Sequence, residues 1–189
     1  MADNRSIILD CSLKLFAAKG YDAVGVQQIV EAAGIKKPTL YHYFGSKRGL
    51  LETLMQEQFT PFMTQLRSVA AYTGDLPLSL RQVVVCYFEF AMSQPTLYLM
   101  HLAAWFANPE NEASLVITPF IQEQHQLLET MFQEAVKDHG NMRERHKVYA
   151  ATFLGMINTY LVQALHGQLK LNEQAVKQVV QQFSYGIYS

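Results

Sequence analysis

VQQIVEAAGIKKPTLYHYFGSKRGLL, residues 26–51, reads as two short helices joined at a glycine. Val26, Ile29, Val30 and Ala33 stand at i, i+3, i+4 and i+7 and form one apolar stripe, while Gln27, Gln28 and Glu31 point elsewhere. Such a helix lies against a neighbour. Gly34 follows the last apolar residue, where helices commonly stop because glycine enters the left-handed conformation without steric cost. Pro38 suits the first turn of the next helix, since its missing N–H would have had no intrahelical partner there. In that second helix only Leu40 and Phe44, at i and i+4, require burial. Lys37, Thr39, Tyr41, His42 and Tyr43 are left for the surface, and an exposed face with two tyrosines and a histidine is costly unless something binds it.

The groups on that face suit a DNA major groove. A lysine opening the helix can neutralise phosphates or donate to guanine O6 and N7; Thr39 offers a hydroxyl and a methyl; tyrosine hydroxyls and His42 can reach phosphate oxygens. Ser46 reads as the cap of a following helix, with Lys47 positioned to hold the backbone. The candidate DNA-binding set is therefore Gln27, Lys36, Lys37, Pro38, Thr39, Tyr41, His42, Tyr43 and Lys47. A helical hairpin with merely solvated ends is the competing reading, since helix-turn-helix geometry also occurs inside helical enzymes.

The first fifty or so residues resemble the DNA-binding domain of the TetR family of bacterial transcriptional repressors. The matching residues are Ile8, Leu9, Leu15, Phe16, Gly20 and Tyr21, then Val26, Ile29, Ala33 and Gly34, then Thr39-Leu40-Tyr41-His42-Tyr43-Phe44 with Ser46, Lys47 and Leu50. Two positions depart from the family pattern. Gly25 stands where a Ser or Thr usually caps the second helix and approaches a phosphate, and Lys36 stands where a serine cap is frequent.

Charge follows the same division. Residues 1–50 hold seven Lys/Arg against four Asp/Glu, a balance of +3, whereas residues 51–189 hold eight against twelve, a balance of −4. The expected domains are a reader, 1–50, and a larger helical body, 51–189, and 50% hydrophobic residues are ample for a core. Cys11 and Cys86, too few and too far apart for a metal site, read as small buried hydrophobes in a reducing cytoplasm. No signal peptide is evident at the N-terminus. Residues 90–109 and 148–169 lack charged side chains for about the length of a bilayer crossing, but Pro95 and Asn108 in the first, and Asn158, Gln163 and His166 in the second, favour buried helices. No membrane partner is expected.

Punctuation by Gly and Pro divides the rest into helices: 46 to about 71 with a bend at Pro61, about 77–94, 95–108, 112–138 with Pro119 early, 142–166 and 172–185, His139-Gly140-Asn141 closing one of them. The fold class is all-α, about nine helices, without strand runs or repeats. Glu89, inside an apolar run, falls with Gln82 and Ser93 on one polar face and reads as exposed.

The resemblance implies a small-molecule effector in the body and a homodimer that places two readers on a palindromic double-stranded operator. The middle helices are rich in large soft side chains, from which Phe88, Tyr98, His101, Trp105, Phe120, Phe153, Met156 and Tyr160 form the candidate effector lining, favouring an apolar or aromatic compound. Ala151, Leu154, Gly155 and Asn158, with Val176, Val179, Val180 and Phe183, give stripes on the last two helices and form the candidate dimer interface, as the family pairs its final helices. No Glu-x-x-His, His-Glu-x-x-His, Gly-rich phosphate loop or Gly-x-Ser-x-Gly turn occurs, so no catalysis, metal or cofactor is expected. The reading is a ligand-responsive regulator, most simply a repressor; an architectural or cell-division DNA-binding protein on the same scaffold, and a helical enzyme, are the alternatives.

Overall fold

A computed structural model describes residues 3–139 and 142–186, and among them lie nine helices and no strand. The helices are α1 (Asn4–Lys19), α2 (Val26–Ala33), α3 (Lys37–Phe44), α4 (Lys47–Val69), α5 (Leu76–Ser93), α6 (Pro95–Trp105), α7 (Glu112–Ala135), α8 (His146–Leu165) and α9 (Glu173–Tyr185). The all-α class is as expected, and the boundaries shift by a few residues. α8 starts at His146 instead of 142 because a turn closes first, Arg145 N–H bonding to the Met142 carbonyl while Glu144 takes a left-handed φ of 63°. Gly140 and Asn141, expected to end a helix, lie outside the described residues.

Contacts gather the chain into two compact units, Met1–Pro61 with Thr96–Pro119, and Phe62–Pro95 with Phe120–Ser189. The chain passes between these units at three prolines, Pro61, Pro95 and Pro119, of which Pro61 lies inside α4 and Pro119 inside α7. A proline removes one helical hydrogen bond and crowds the preceding turn, so each helix is weakest where it changes unit.

In the first unit α1, α2 and α3 pack on one another and on the start of α4. The stripe of α2 turns Ile29 and Val30 inward, Leu40 and Phe44 seat α3, and Leu50, Leu51 and Leu54 seat α4. Gly34 ends α2 with φ 66° and ψ 30°, and its N–H bonds back to the Val30 and Glu31 carbonyls. Ser46 caps α4, its Oγ accepting from Gly49 N–H at 2.9 Å. Gly49 itself cannot carry a side chain: a Cβ there would stand 2.2 Å from the Phe44 carbonyl oxygen. Arg5 makes a two-point bond to Glu57, tying α1 to α4, and its guanidinium lies 5.8 Å from the centre of the Phe44 ring. Cys11 is half-buried, its Sγ 3.5 Å from the Ala32 carbonyl oxygen. α6 belongs to the same unit, where His101 is buried with its ring 4.6 Å from Phe59 and 6.4 Å from Tyr98.

In the second unit α5, α8 and α9 pack together. Asp75 caps α5 by accepting from Leu78 N–H at 2.9 Å, and Asn172 caps α9 by accepting from Ala175 N–H at 3.0 Å. Phe183 of α9 reaches Phe153 at 4.7 Å and Phe132 at 5.6 Å between ring centres. Cys86 is buried, and desolvation raises its thiol to about 12, leaving it protonated and inert. Glu89 is exposed, as its polar face implied.

The helix expected to be buried at residues 148–169 is buried along one face, through Ala150, Phe153, Leu154, Ile157 and Leu161. α8 is long and apolar enough to cross a membrane by length and composition, yet only 28% of its most apolar window is buried within the chain. Its outer face carries Val148, Ala151, Thr152, Gly155 and Thr159, all exposed and none charged.

Two consequences are measurable. Gly49→Ala forces the start of α4 away from Phe44, and thermal and urea unfolding will show a loss of about 1 to 3 kcal/mol; a variant as stable as the parent would refute the close approach. Burial drives the His101 imidazole down to about 3, whereas in the unfolded chain it titrates near 6.5. Between those values the unfolded state binds the extra proton, so this contribution is intact above about pH 6.5 and is lost progressively as pH falls, by at most about 1.4 kcal/mol per pH unit. Urea midpoints measured from pH 7 to 4 will fall less steeply for His101→Phe than for the parent; parallel slopes would count against a neutral buried imidazole.

Candidate nucleic-acid interface

α3 begins without a side-chain cap. Lys36 is extended at the cap position, Pro38 occupies the first turn, and Thr39 N–H bonds to the Lys36 carbonyl at 3.0 Å. With Leu40 and Phe44 turned inward, the opposite face carries Lys37, Tyr41, His42 and Tyr43 into solvent, and Thr39 is half-buried between the two. Tyr41 is 46% and Tyr43 37% exposed, so both rings keep a large apolar surface in water. His42 meets Tyr43 edge to face at 5.4 Å, which stiffens the face. Gly45 then ends the helix with φ 71°.

The cations of this unit fall into two groups. Arg5 pairs with Glu57, Lys14 with Asp10 and Arg48 with Glu52. Lys19, Lys36 and Lys37 are exposed and make no ion pair among the described residues, and two of these three stand side by side. The unspent positive charge therefore collects at the start of α3, where the helix dipole adds its own positive end.

Lys47 and Gln27 both make hydrogen bonds within the chain. Lys47 Nζ donates to the carbonyl oxygens of Tyr21 at 3.0 Å and Val24 at 3.1 Å, and lies 4.0 Å from the centre of the Tyr21 ring. It braces the turn between α1 and α2, where the Val24 carbonyl takes it as a donor and the Tyr21 carbonyl takes it beside the Val24 N–H. Gln27 is exposed but spends its amide on Glu31 Oε1 at 2.6 Å. At the other departure from the family pattern, Gln28 Oε1 accepts from Gly25 N–H at 3.3 Å, supplying from within α2 the reciprocal half of a cap. Sequence reasoning missed Tyr21 as a structural hub: its hydroxyl bonds to Glu112, 91 residues away, and burial followed by that bond raises its pKa. No local pattern signals such a contact.

The eight candidate effector residues are divided between the units. Tyr98, His101 and Trp105 belong to the first; Phe88, Phe120, Phe153, Met156 and Tyr160 belong to the second. Within the second, Phe88 and Phe153 are buried side chains, Phe153 packing on Phe132 and Phe183, so they serve the chain's own core. Tyr160 instead lines a shallow groove of about 470 Å³ with Gln178, Gln181, Gln182 and Tyr185. Trp105 is 41% exposed at the end of α6.

The candidate dimer residues also divide. Ala151 and Gly155 are exposed on α8, and Asn158 and Val180 are half-buried. Leu154, Val176 and Val179 are buried inside the chain, and Phe183 packs on Phe153. Leu154, Val176 and Val179 thus serve to hold α8 and α9 to their own unit, whereas Phe183 is half-buried and keeps part of its surface in solvent.

Comparison with known proteins accords with this geometry. Residues 8–54 match the family model of bacterial regulatory proteins, tetR family. The chain is 31% identical over 88 residues to the transcriptional activator FasR of Mycolicibacterium smegmatis, a match spanning 47% of this chain and 40% of that one. It is 27% identical over 165 residues to the transcriptional regulator YvkB of Bacillus subtilis, spanning 84% and 82%. The chain thus spans less than half of FasR and most of YvkB. Among solved structures, FadR of Bacillus subtilis in complex with stearoyl-CoA superimposes with a TM-score of 0.77 at 19% identity, covering 97% of this chain and 99% of that one, which establishes a shared fold. The buried positions, the turn glycine and the exposed face of this helix-turn-helix coincide with the matched segment, so residues 8–54 are similar to the N-terminal domain of the tetR family of bacterial regulatory proteins.

Proposed function

We propose that the protein is a ligand-responsive transcriptional regulator, most simply a repressor, that binds a palindromic operator as a homodimer in the cytoplasm and lets go when a small effector occupies its body. The observation that carries this reading is the face of α3, where two lysines that make no ion pair among the described residues precede the exposed Tyr41, His42 and Tyr43. A single eight-residue reader contacts too few base pairs for useful specificity. Two readers about 34 Å apart engage successive major grooves and multiply it.

The uncharged outer face of α8 supports the dimer. Val148, Ala151, Thr152, Gly155 and Thr159 lie along one side, and a Cβ added at Gly155 meets nothing within 4 Å in the single chain. Small side chains let two such helices approach closely. The groove beside Tyr160 and the half-buried Val180 extend the same interface toward α9.

The effector is an apolar compound. An extended acyl chain fits that description as well as an aromatic one, and a stearoyl thioester occupies the FadR relative of this fold. Release needs a coupling of only about 1 to 3 kcal/mol, a roughly 5-fold to 150-fold change in operator affinity. Catalysis forms no part of this reading.

Selection from random duplex DNA with the full-length protein will return a two-fold symmetric motif with half-sites about one turn apart. On that operator Lys37→Ala or Thr39→Ala will change base preference in each half-site, and Tyr41→Phe will weaken all sequences evenly; four-base scanning that finds none of these effects would remove α3 as the reader. Arginine at both Thr152 and Thr159 will shift the protein from dimer to monomer in sedimentation equilibrium with its helical signal retained, and a persistent dimer would place the interface elsewhere.

A further inference from the structure

The first unit contains a cavity of about 590 Å³ that the reader helix does not use. Its floor is Phe16, Leu51, Met100 and Ile117. Its walls are low because six alanines line it, contributed by α1, the turn after α1, α6, the segment following α6, and α7. Every lining residue belongs to Met1–Pro61 or Thr96–Pro119, so the space lies within one compact unit. A cavity of this size, apolar with a few polar groups at its edge, has the dimensions of a small-molecule site.

The charge around it selects the ligand. The C-terminal turns of both α1 and α6 border the cavity, through Ala17 and Lys19 and through Ala103 and Ala104, and a helix end of this kind presents roughly half a negative charge. Asp22 adds a full one; it is exposed at the rim and makes no ion pair among the described residues. The N-terminus of α7 opposes them weakly, because Asn111 Oδ1 already accepts from Ser114 N–H at 2.6 Å and Glu112 stands in its first turn, bonded to the Tyr21 hydroxyl. Lys19, as exposed as Asp22, offsets it on the lining, and Lys47 and Arg48 lie near Tyr21 beside Glu112 and Glu52, so the negative bias comes from the two helix ends. An apolar floor beneath a rim of net negative potential fits a hydrophobic cation.

We propose that this cavity, between the end of α1 and the α6–α7 segment, is a binding site for small hydrophobic amines, the apolar part resting on Phe16, Leu51 and Met100 and the ammonium facing Asp22. The assignment rests on the geometry of one unit and stands whether or not α3 binds DNA.

Alanine-methyl-labelled full-length protein titrated with 4-phenylbutylamine tests it directly. The methyls of Ala17, Ala103 and Ala107 will shift with saturation, and 4-phenylbutyrate, of matched size and opposite charge, will bind at least about tenfold more weakly. Asp22→Asn will raise the amine's Kd by about 3-fold to 10-fold, a loss of charge attraction at an exposed position that leaves folding intact. Ala103→Trp, also at an exposed position, will fill the space and abolish the shifts. Still methyls at millimolar amine, shifts confined to other alanines, equal binding of the acid, or shifts that survive Ala103→Trp would each overturn the site.

Discussion

The turn between α1 and α2 is held by one ammonium group, and the orientation of the reader depends on it. Lys47 at the start of α4 satisfies two carbonyl oxygens of that turn, Tyr21 and Val24, and sits against the Tyr21 ring. Without it the Val24 carbonyl on this part-buried turn would lose that donor, an omission worth about 1 to 3 kcal/mol, while the Tyr21 carbonyl would keep the Val24 N–H. The same lysine follows the Ser46 cap, so the end of α3, the start of α4 and the entry to α2 are fixed by neighbouring atoms. α3 then needs only Leu40 and Phe44 to hold it down, and its outer face is free of structural duty.

What was legible in the sequence was what local periodicity encodes. The stripe of α2, the stop at Gly34, the inward Leu40 and Phe44 and the cap at Ser46 all rest on residues within a few positions of one another, where helical geometry alone determines who faces whom. The intrachain bonds of Lys47 were not legible for the complementary reason. Nothing near it in sequence reveals that carbonyls 23 and 26 residues upstream claim its protons, and a lysine beside a reader helix looks like a phosphate contact. Arg5 and Glu57 pose the same difficulty over 52 residues.

The body was less legible for a different reason. α8 is apolar on more than one side, so a stripe such as Ala151, Leu154, Gly155 and Asn158 mixes the face that meets its own unit with the face that does not. Periodicity identifies a buried side only when the other side is polar. Aromatic residues carry the same ambiguity: Phe153 and Trp105 are equal candidates by composition, yet one has no exposed surface and the other keeps two-fifths of its own. Burial separates them, and composition cannot.

Neither compact unit is a contiguous stretch of chain, since Thr96–Pro119 returns to complete the first after the polypeptide has already entered the second. The hydroxyl of Tyr21 must therefore wait for Glu112, 91 residues downstream, before its bond can form. During synthesis, the helix-turn-helix can assemble from local contacts as soon as α4 emerges, but it acquires this last tie only when α6 and the start of α7 have been made. A fragment cut after the reader would keep the lysine brace and lose the tyrosine clasp, so the isolated headpiece and the headpiece within the full chain are different objects in rigidity even though their helices are the same.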